Sequence, residues 1–209
     1  MPGFGRIHQP DPRDHQYLLE PLATTRTSRF WRANTIHLDQ GQTPRCTAYA
    51  WMHFYCDSPK PHSKPYEVCV MFYNAEQKID GMPMPHDGSS VRAGAKVLKA
   101  DGHCTSYRWA FTLHGVVNCL LEQGPVIVGT NWYDSMFQVG PDGFVKITAG
   151  ASIAGGHAYK LDGVNTVKKY VRIKNSWGTS WGQGGFAKLS FAALERLIGE
   201  DGEACKAVE

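Results

Sequence analysis

The stretch "RCTAYAWMHFYC" at residues 45–56 carries apolar or aromatic side chains almost all the way round a helix. A helix with no polar face must be enclosed on every side, which makes it the centre of a core. Thr43 suits the N-cap of this helix, and Pro44 suits the first helical position, where its missing N–H is not needed. Cys46 then falls in the first turn. Free cysteine is commonly a buried filler, so the rest of the chain must decide whether this one is more than that.

Around that helix the chain separates into two unlike parts. Residues 1–39 are polar and punctuated by proline, and read as an irregular arm wrapped over the body. "SSVRAGAKVLKADG" (89–102) and "TLHGVVNCLLEQG" (112–124) read as helices closed by glycine. After residue 124 the pattern changes to short β-branched and aromatic runs, "PVIVGTNW", "HAYKLDGV", "KYVRIKN" and "GFAKLSF", with "FAALERLIGE" as a late helix. Helices followed by strands indicate an α+β protein, a helical lobe at about 40–122 against a β-rich lobe at about 123–209. No flexible linker separates them, so residues 1–209 read as a single domain.

The composition is that of a globular chain, with 42% apolar and 20% charged residues and a net charge of +3. Basic residues are scattered, which argues against a nucleic-acid partner. No segment approaches the ~18 consecutive apolar residues of a membrane span, and the N-terminus has no signal-like apolar core. The six cysteines contain no C-x-x-C pair, so neither a metal nor another cofactor is expected. If Cys46 is a free thiol, five others remain, a number that fits a reducing compartment better than a disulfide framework.

The chemistry concentrates in "AGGHAYKLDGV" (154–164) and "RIKNSWGTSWGQGGFAKL" (172–189). An antiparallel hairpin of residues 157–163 and 168–174, turning near residue 166, sets His157 opposite Asn175. An amide there accepts from one imidazole nitrogen, fixes the tautomer and leaves the other nitrogen free to face a thiol.

These residues resemble the papain-like cysteine peptidases. The resemblance rests on Gln40-Gly41 with Cys46 six residues after the glutamine, on Gly156-His157-Ala158, and on Asn175-Ser176-Trp177-Gly178 followed by Trp181-Gly182, in that order. It covers roughly residues 38–192. It implies a two-lobe fold with an antiparallel β-barrel-like second lobe, and a cysteine endopeptidase that cleaves a peptide or protein substrate in the cleft between lobes. It further implies Cys46 as nucleophile, His157 as base and acid, Asn175 as its orienter, Trp177 as cover for that hydrogen bond, and Gln40 with the Cys46 amide as the oxyanion site. By the same resemblance Gly88, Ser89 and Ser90, together with Gly156 and Trp177, line the substrate cleft; Gly88–Ser90 also read simply as a turn and helix cap.

Three departures stand out. Thr43 replaces a cysteine that forms a family disulfide, and Thr47 replaces a tryptophan. Arg45 stands where the family has a small residue, and is expected to add positive potential near the thiol. The chain opens with methionine and a coherent arm, so a branch made without a separate inhibitory pro-region is expected, of bacterial or phage type, cytoplasmic or virion-associated. Two other readings remain open: an amidase or transpeptidase acting on non-protein amides, and a papain-like scaffold that binds or assembles without cutting. His53 reads as a core histidine, Asp134 and Asp162 as turn or surface carboxylates, and Cys205 as an exposed thiol in a polar tail.

Overall fold

The structure is a computed structural model describing residues 3–33, 36–57, 59, 61–62 and 66–208. The central helix, α1, spans Cys46–Cys56, and all eleven of its residues are buried. It starts later than the capping signal predicts. Arg45 is the N-cap and has no side-chain cap bond, because the Thr43 hydroxyl instead donates to the Gln40 carbonyl at 2.6 Å and closes a turn. Cys46 is therefore the first helical residue.

Helix α2, Tyr66–Ile79, has no counterpart in the sequence reading. Its signal is present: Cys69, Phe72, Tyr73 and Glu76 are buried at i, i+3, i+4 and i+7. Helix α3, Val91–Ala100, is capped by Ser90, whose Oγ accepts from the Ala93 amide at 3.1 Å. Helix α4, Leu113–Glu122, is capped in the same way by Thr112, and α5, Phe191–Gly199, by Ser190. Gly102 follows α3 at φ 74°, the left-handed conformation a side chain would disfavour.

The strands are β1 (Ser28–Phe30), β2 (Ser106–Ala110), β3 (Val126–Tyr133), β4 (Ile153–Asn165), β5 (Tyr170–Lys174), β6 (Phe186–Ser190) and β7 (Glu203–Val208). They form one antiparallel sheet in the order β2-β7-β3-β4-β5-β6, with β1 paired to β4. The barrel-like lobe is thus an open sheet. The arm is less irregular than expected, since it supplies β1. Strand β2 lies between the two stretches read as helices, inside the lobe expected to be helical, and the C-terminal tail inserts as β7 between β2 and β3. That insertion corrects the reading of Cys205, which is fully buried in β7.

The sheet has apolar contacts on both faces. Val126, Val128, Tyr159 and Leu161 belong to one hydrophobic cluster with α4 and α5. Ile127, Ala158 and Cys205 belong to another with α1 and α3. Alternation along each strand sends successive side chains into the two clusters.

Between α1 and the β4–β5 hairpin lies a buried ion cluster. Lys160 and Lys174 are cross-strand partners, and both ammonium groups bond Asp57, the residue after α1, with Lys174 Nζ at 3.1 and 3.0 Å from its two oxygens. Asp162 completes the group, 2.7 Å from Arg172 and 3.6 Å from Lys160; it is buried, not a surface carboxylate. Burial, then the neighbouring Lys160, pulls Lys174 down from its ordinary value. Asp57→Ala is expected to destabilise the fold by about 3–5 kcal/mol, because it leaves two interior cations without their shared carboxylate. The shift of the urea unfolding midpoint measures this, and a change under 1 kcal/mol would show that the cluster is dispensable.

Candidate active site

Cys46, His157, Asn175 and Gln40 converge at the N-terminal end of α1. The helix presents Cys46 at its positive end, and the backbone amides of Ala158, Gly5 and Thr47 lie against the thiol. Ala158 sits on β4 next to His157, so the sheet sets the histidine one residue from the amide that touches the sulfur. His157 Nε2 is 2.8 Å from Asn175 Oδ1. That oxygen also accepts from the Ser176 amide at 2.9 Å, which identifies it as the acceptor and places the ring proton on Nε2. Nδ1 is buried and has no hydrogen-bond partner among the described residues.

The hairpin that carries this pair differs from the simple one. Asn165 pairs with Tyr170 and Lys160 with Lys174, and a bulge lies between Leu161 and Gly163. Asn175 therefore lies one residue beyond β5, and its side chain reaches back to His157, which pairs across the sheet with Thr130. Trp177 stacks on the imidazole at 4.7 Å between centroids, and Trp132 meets it edge-on at 5.0 Å.

Gln40 is held from two sides. Its backbone amide donates to the Ser176 carbonyl at 2.9 Å, and its Oε1 accepts from Ser176 Oγ at 2.7 Å. The carboxamide is thereby turned so that Nε2 points toward Thr43 O and Gly3 O, at 2.9 and 3.0 Å. Ser176, Trp132 and Ala158 were not singled out from sequence. Ser176 lies inside the N-S-W-G motif, but its contact with Gln40 spans 136 residues and has no local signature.

The arm crosses the cleft. The Gly5 and Arg6 amides donate to Gly156 O at 3.2 and 3.0 Å, the Ser89 amide donates to Gly5 O at 2.7 Å, and the Ile7 amide donates to Ser89 O at 2.8 Å. Residues 5–7 thus occupy both walls that the sequence reading assigned to substrate. Gly88, at φ 91°, allows this approach, since a Cβ there would lie 2.4 Å from Gly5 O. Ser90 contributes its hydroxyl to the α3 cap instead. Phe4 packs edge-on against His157 and Trp177 at 5.8 and 6.4 Å.

Other departures from the family motif also have partners. Thr47 Oγ1 donates to Glu76 at 2.8 Å, a carboxyl that burial raises well above its ordinary value. The Arg45 guanidinium lies over the Tyr73 ring at 5.6 Å. His53 Nε2 accepts from the Leu38 amide at 3.1 Å, in line with a core role. Among the described residues no group of three or more His, Cys, Asp or Glu side chains could hold a metal ion.

Enclosure sets the protonation of the pair. Burial pushes the Cys46 thiol up to about 12, against the pull of the neighbouring amides. It lowers His157 to about 4, against the Asn175 hydrogen bond. With the arm seated, both groups are neutral near pH 7, and alkylation of Cys46 should rise about tenfold per pH unit through pH 9 without a plateau. A Cβ at Gly5 would lie 2.0 Å from Pro44 O, so Gly5→Ala should unseat the arm and bring the rise to lower pH. Iodoacetamide labelling of Cys46, read by mass spectrometry, checks this; identical profiles for both proteins would show that the arm does not control the thiol.

Comparison with known proteins identifies the family and the fold. The model of the papain family cysteine protease matches residues 62–199, which include His157 and Asn175 and begin after Cys46. The cathepsin B-like cysteine proteinase 3 of Ostertagia ostertagi is 33% identical over 102 residues, covering 47% of this chain and 58% of that protein. The gut-specific cysteine proteinase of Caenorhabditis elegans is 38% identical over 72 residues, covering 34% and 21%. The chain thus spans less than two thirds of either relative. Among solved structures, xylellain, a cysteine protease from Xylella fastidiosa, superposes with a TM-score of 0.70 at 21% identity over 100% of this chain and 97% of that one. The digestive procathepsin L2 proteinase of Tenebrio molitor gives 0.66 at 15% identity, over 100% and 78%. The fold is papain-like, and the chain belongs to the papain family of cysteine proteases.

Proposed function

We propose that residues 1–209 act as one peptidase domain, a cysteine endopeptidase on peptide or protein substrates, whose cleft is closed in this conformation by its own residues 3–7. The observation that carries the reading is the state of His157. One ring nitrogen is fixed by Asn175, and the other, without a partner among the described residues, belongs to the neighbour of the residue that touches the Cys46 sulfur.

In this reading the proton passes from Cys46 Sγ to His157 Nδ1 once the arm leaves and water enters. The thiolate is then stabilised by the N-terminus of α1. Sulfur attacks the substrate carbonyl, and the oxyanion accepts from Gln40 Nε2 and the Cys46 amide. His157 returns the proton to the departing amine, leaving a thioester that water hydrolyses with the same imidazole as base. Ser89 and Gly156 hold the substrate backbone by the groups that now hold the arm, Gly88 gives it room, and Trp177 keeps water from the His157–Asn175 bond. The scheme needs no cofactor.

Cys46, Cys69, Cys119 and Cys205 are free and buried, which supports a reducing location such as cytoplasm or a virion interior. Among the described residues no helix is long and apolar enough to cross a membrane.

A fluorogenic peptide library tests the reading with Gly5→Ala as the open form. Turnover is expected, abolished by Cys46→Ala and lowered about 10²–10³-fold in kcat by Gln40→Ala. Absence of turnover, with Cys46 no more reactive than the other thiols, would overturn it. Ser176→Ala should lower kcat in the same direction as Gln40→Ala but less, because it removes only the bond that aims the carboxamide.

A further inference from the structure

His157 is surrounded by rings, and one of them stands outside the motifs that carry the family resemblance. Trp132 lies on β3, where the register sets it opposite Gly155, with Thr130 opposite His157. Trp132 and His157 are thus diagonal neighbours on one face of the sheet, a separation that a large aromatic side chain spans. Gly155 puts no side chain between them. The indole is fully buried and belongs to the cluster that packs the sheet against α4 and α5.

The contact has a definite sense. Trp177 lies 27° from parallel to the imidazole with centroids 4.7 Å apart, so it covers one imidazole face. Trp132 stands at 80° to the imidazole and 77° to Trp177, at 5.0 and 5.1 Å. A ring on the opposite imidazole face could not also touch Trp177. Trp132 therefore lies beside the stack, and the imidazole turns its edge toward the indole face. An aromatic face carries negative potential and a ring edge positive. Protonation of the imidazole strengthens that attraction, and tryptophan is the best aromatic partner for a cation.

Packing alone does not account for a tryptophan here. Its Nε1 is buried without a hydrogen-bond partner among the described residues, whereas a buried indole N–H usually has one. A phenylalanine would fill the cluster without leaving a donor unpaired. Asn175 and Phe4, which also meet the imidazole, carry no charge. Neither does the Tyr159 phenol on β4, at 5.9 Å, which burial pushes up to about 12. From α1 the titratable group is Cys46, whose sulfur meets the amide of the next residue, Ala158. Burial itself opposes the charged ring. An indole face is a wall that keeps water out and still favours the charge.

We propose that Trp132 is a positioning residue for His157, its indole face holding the imidazolium edge-on as a cation–π pair when the arm leaves and the ring takes up a proton. The part played in the reaction rests on the peptidase reading; the contact between the indole and a charged imidazole does not. A ring that only excluded water would, once removed, let water in and raise the imidazole pKa. A ring that favours the charged form would, once removed, lower it. The two roles differ in sign.

The test uses the full chain with Gly5→Ala to unseat the arm and Cys46→Ala to remove the coupled thiol. The His157 ring C–H signal, identified by its loss in His157→Ala, is followed against pH by NMR. Trp132→Leu should lower the midpoint by about one pH unit, and Trp132→Phe, which keeps a weaker π face, by about half as much. Should Trp132→Leu fail to fold, the phenylalanine variant decides by its sign. No shift, or a rise, would overturn the pair. In parallel, with Cys46 retained, the alkaline limb of kcat/KM on a fluorogenic peptide should move down by about the same unit in Trp132→Leu. A limb that stays in place overturns the part in the reaction, whereas no turnover in the Gly5→Ala parent counts against the peptidase reading and leaves the NMR titration to decide the contact.

Discussion

Lys160 and Lys174 face each other across adjacent strands in the protein interior, an arrangement that repels unless a negative charge stands between them. Asp57 is that charge. It follows directly on α1, the helix that begins with Cys46. Lys160 lies three residues after His157, and Lys174 immediately precedes Asn175. One carboxylate thus ties the helix that bears Cys46 to the hairpin that carries the imidazole and its amide. The packing of α1 into the sheet gives contact, which is non-directional. The ion cluster gives direction, because a helix shifted along the hairpin would leave two cations buried without their partner.

The same enclosure governs the chemistry of the cleft. Water is kept from Cys46 and His157 by the arm, by Phe4, and by the aromatic group of Trp132 and Trp177. Burial favours the neutral forms of both, whereas a thiolate–imidazolium pair needs solvent or a developing charge nearby. The helix terminus and the Asn175 bond both favour the charged pair, and desolvation outweighs them while the arm is in place. Activation in the proposed peptidase is therefore a question of access.

Much of this was legible in the sequence. The apolar helix "CTAYAWMHFYC", the glycine-closed helices and the spaced motifs at Gln40, Cys46, His157 and Asn175 carry local or short-range signals. What escaped depends on pairing at long range. The β2–β7 pair joins residues about a hundred apart, and it turned a polar-looking tail containing Cys205 into an interior strand. The bulge at Leu161–Gly163 shifted the hairpin register, so Asn175 reaches His157 from beyond the strand end. Trp132 looks like one more strand aromatic until the sheet sets it against His157. Helix α2 is the exception, since its buried face is written at helical spacing in the sequence itself.

The arm lies in the cleft in an orientation that bears on how it persists there. It presents the sulfur with the N–H of Gly5, and the arm carbonyl that meets the Gln40 donor belongs to Gly3. A peptide that offers a donor to a nucleophile offers it nothing to attack, so the resident segment is a poor target for the thiol it covers. Being tethered, it is also always nearby, at an effective concentration on the order of millimolar. A diffusing peptide must compete with that concentration, and its apparent affinity falls by the fraction of time the arm is seated. Seating in turn orders two glycines, which lose more backbone freedom than any other residue. The arm is thus balanced between proximity and entropy, a tether whose hold can be adjusted by small changes in residues 3–7 without altering the cleft beneath it.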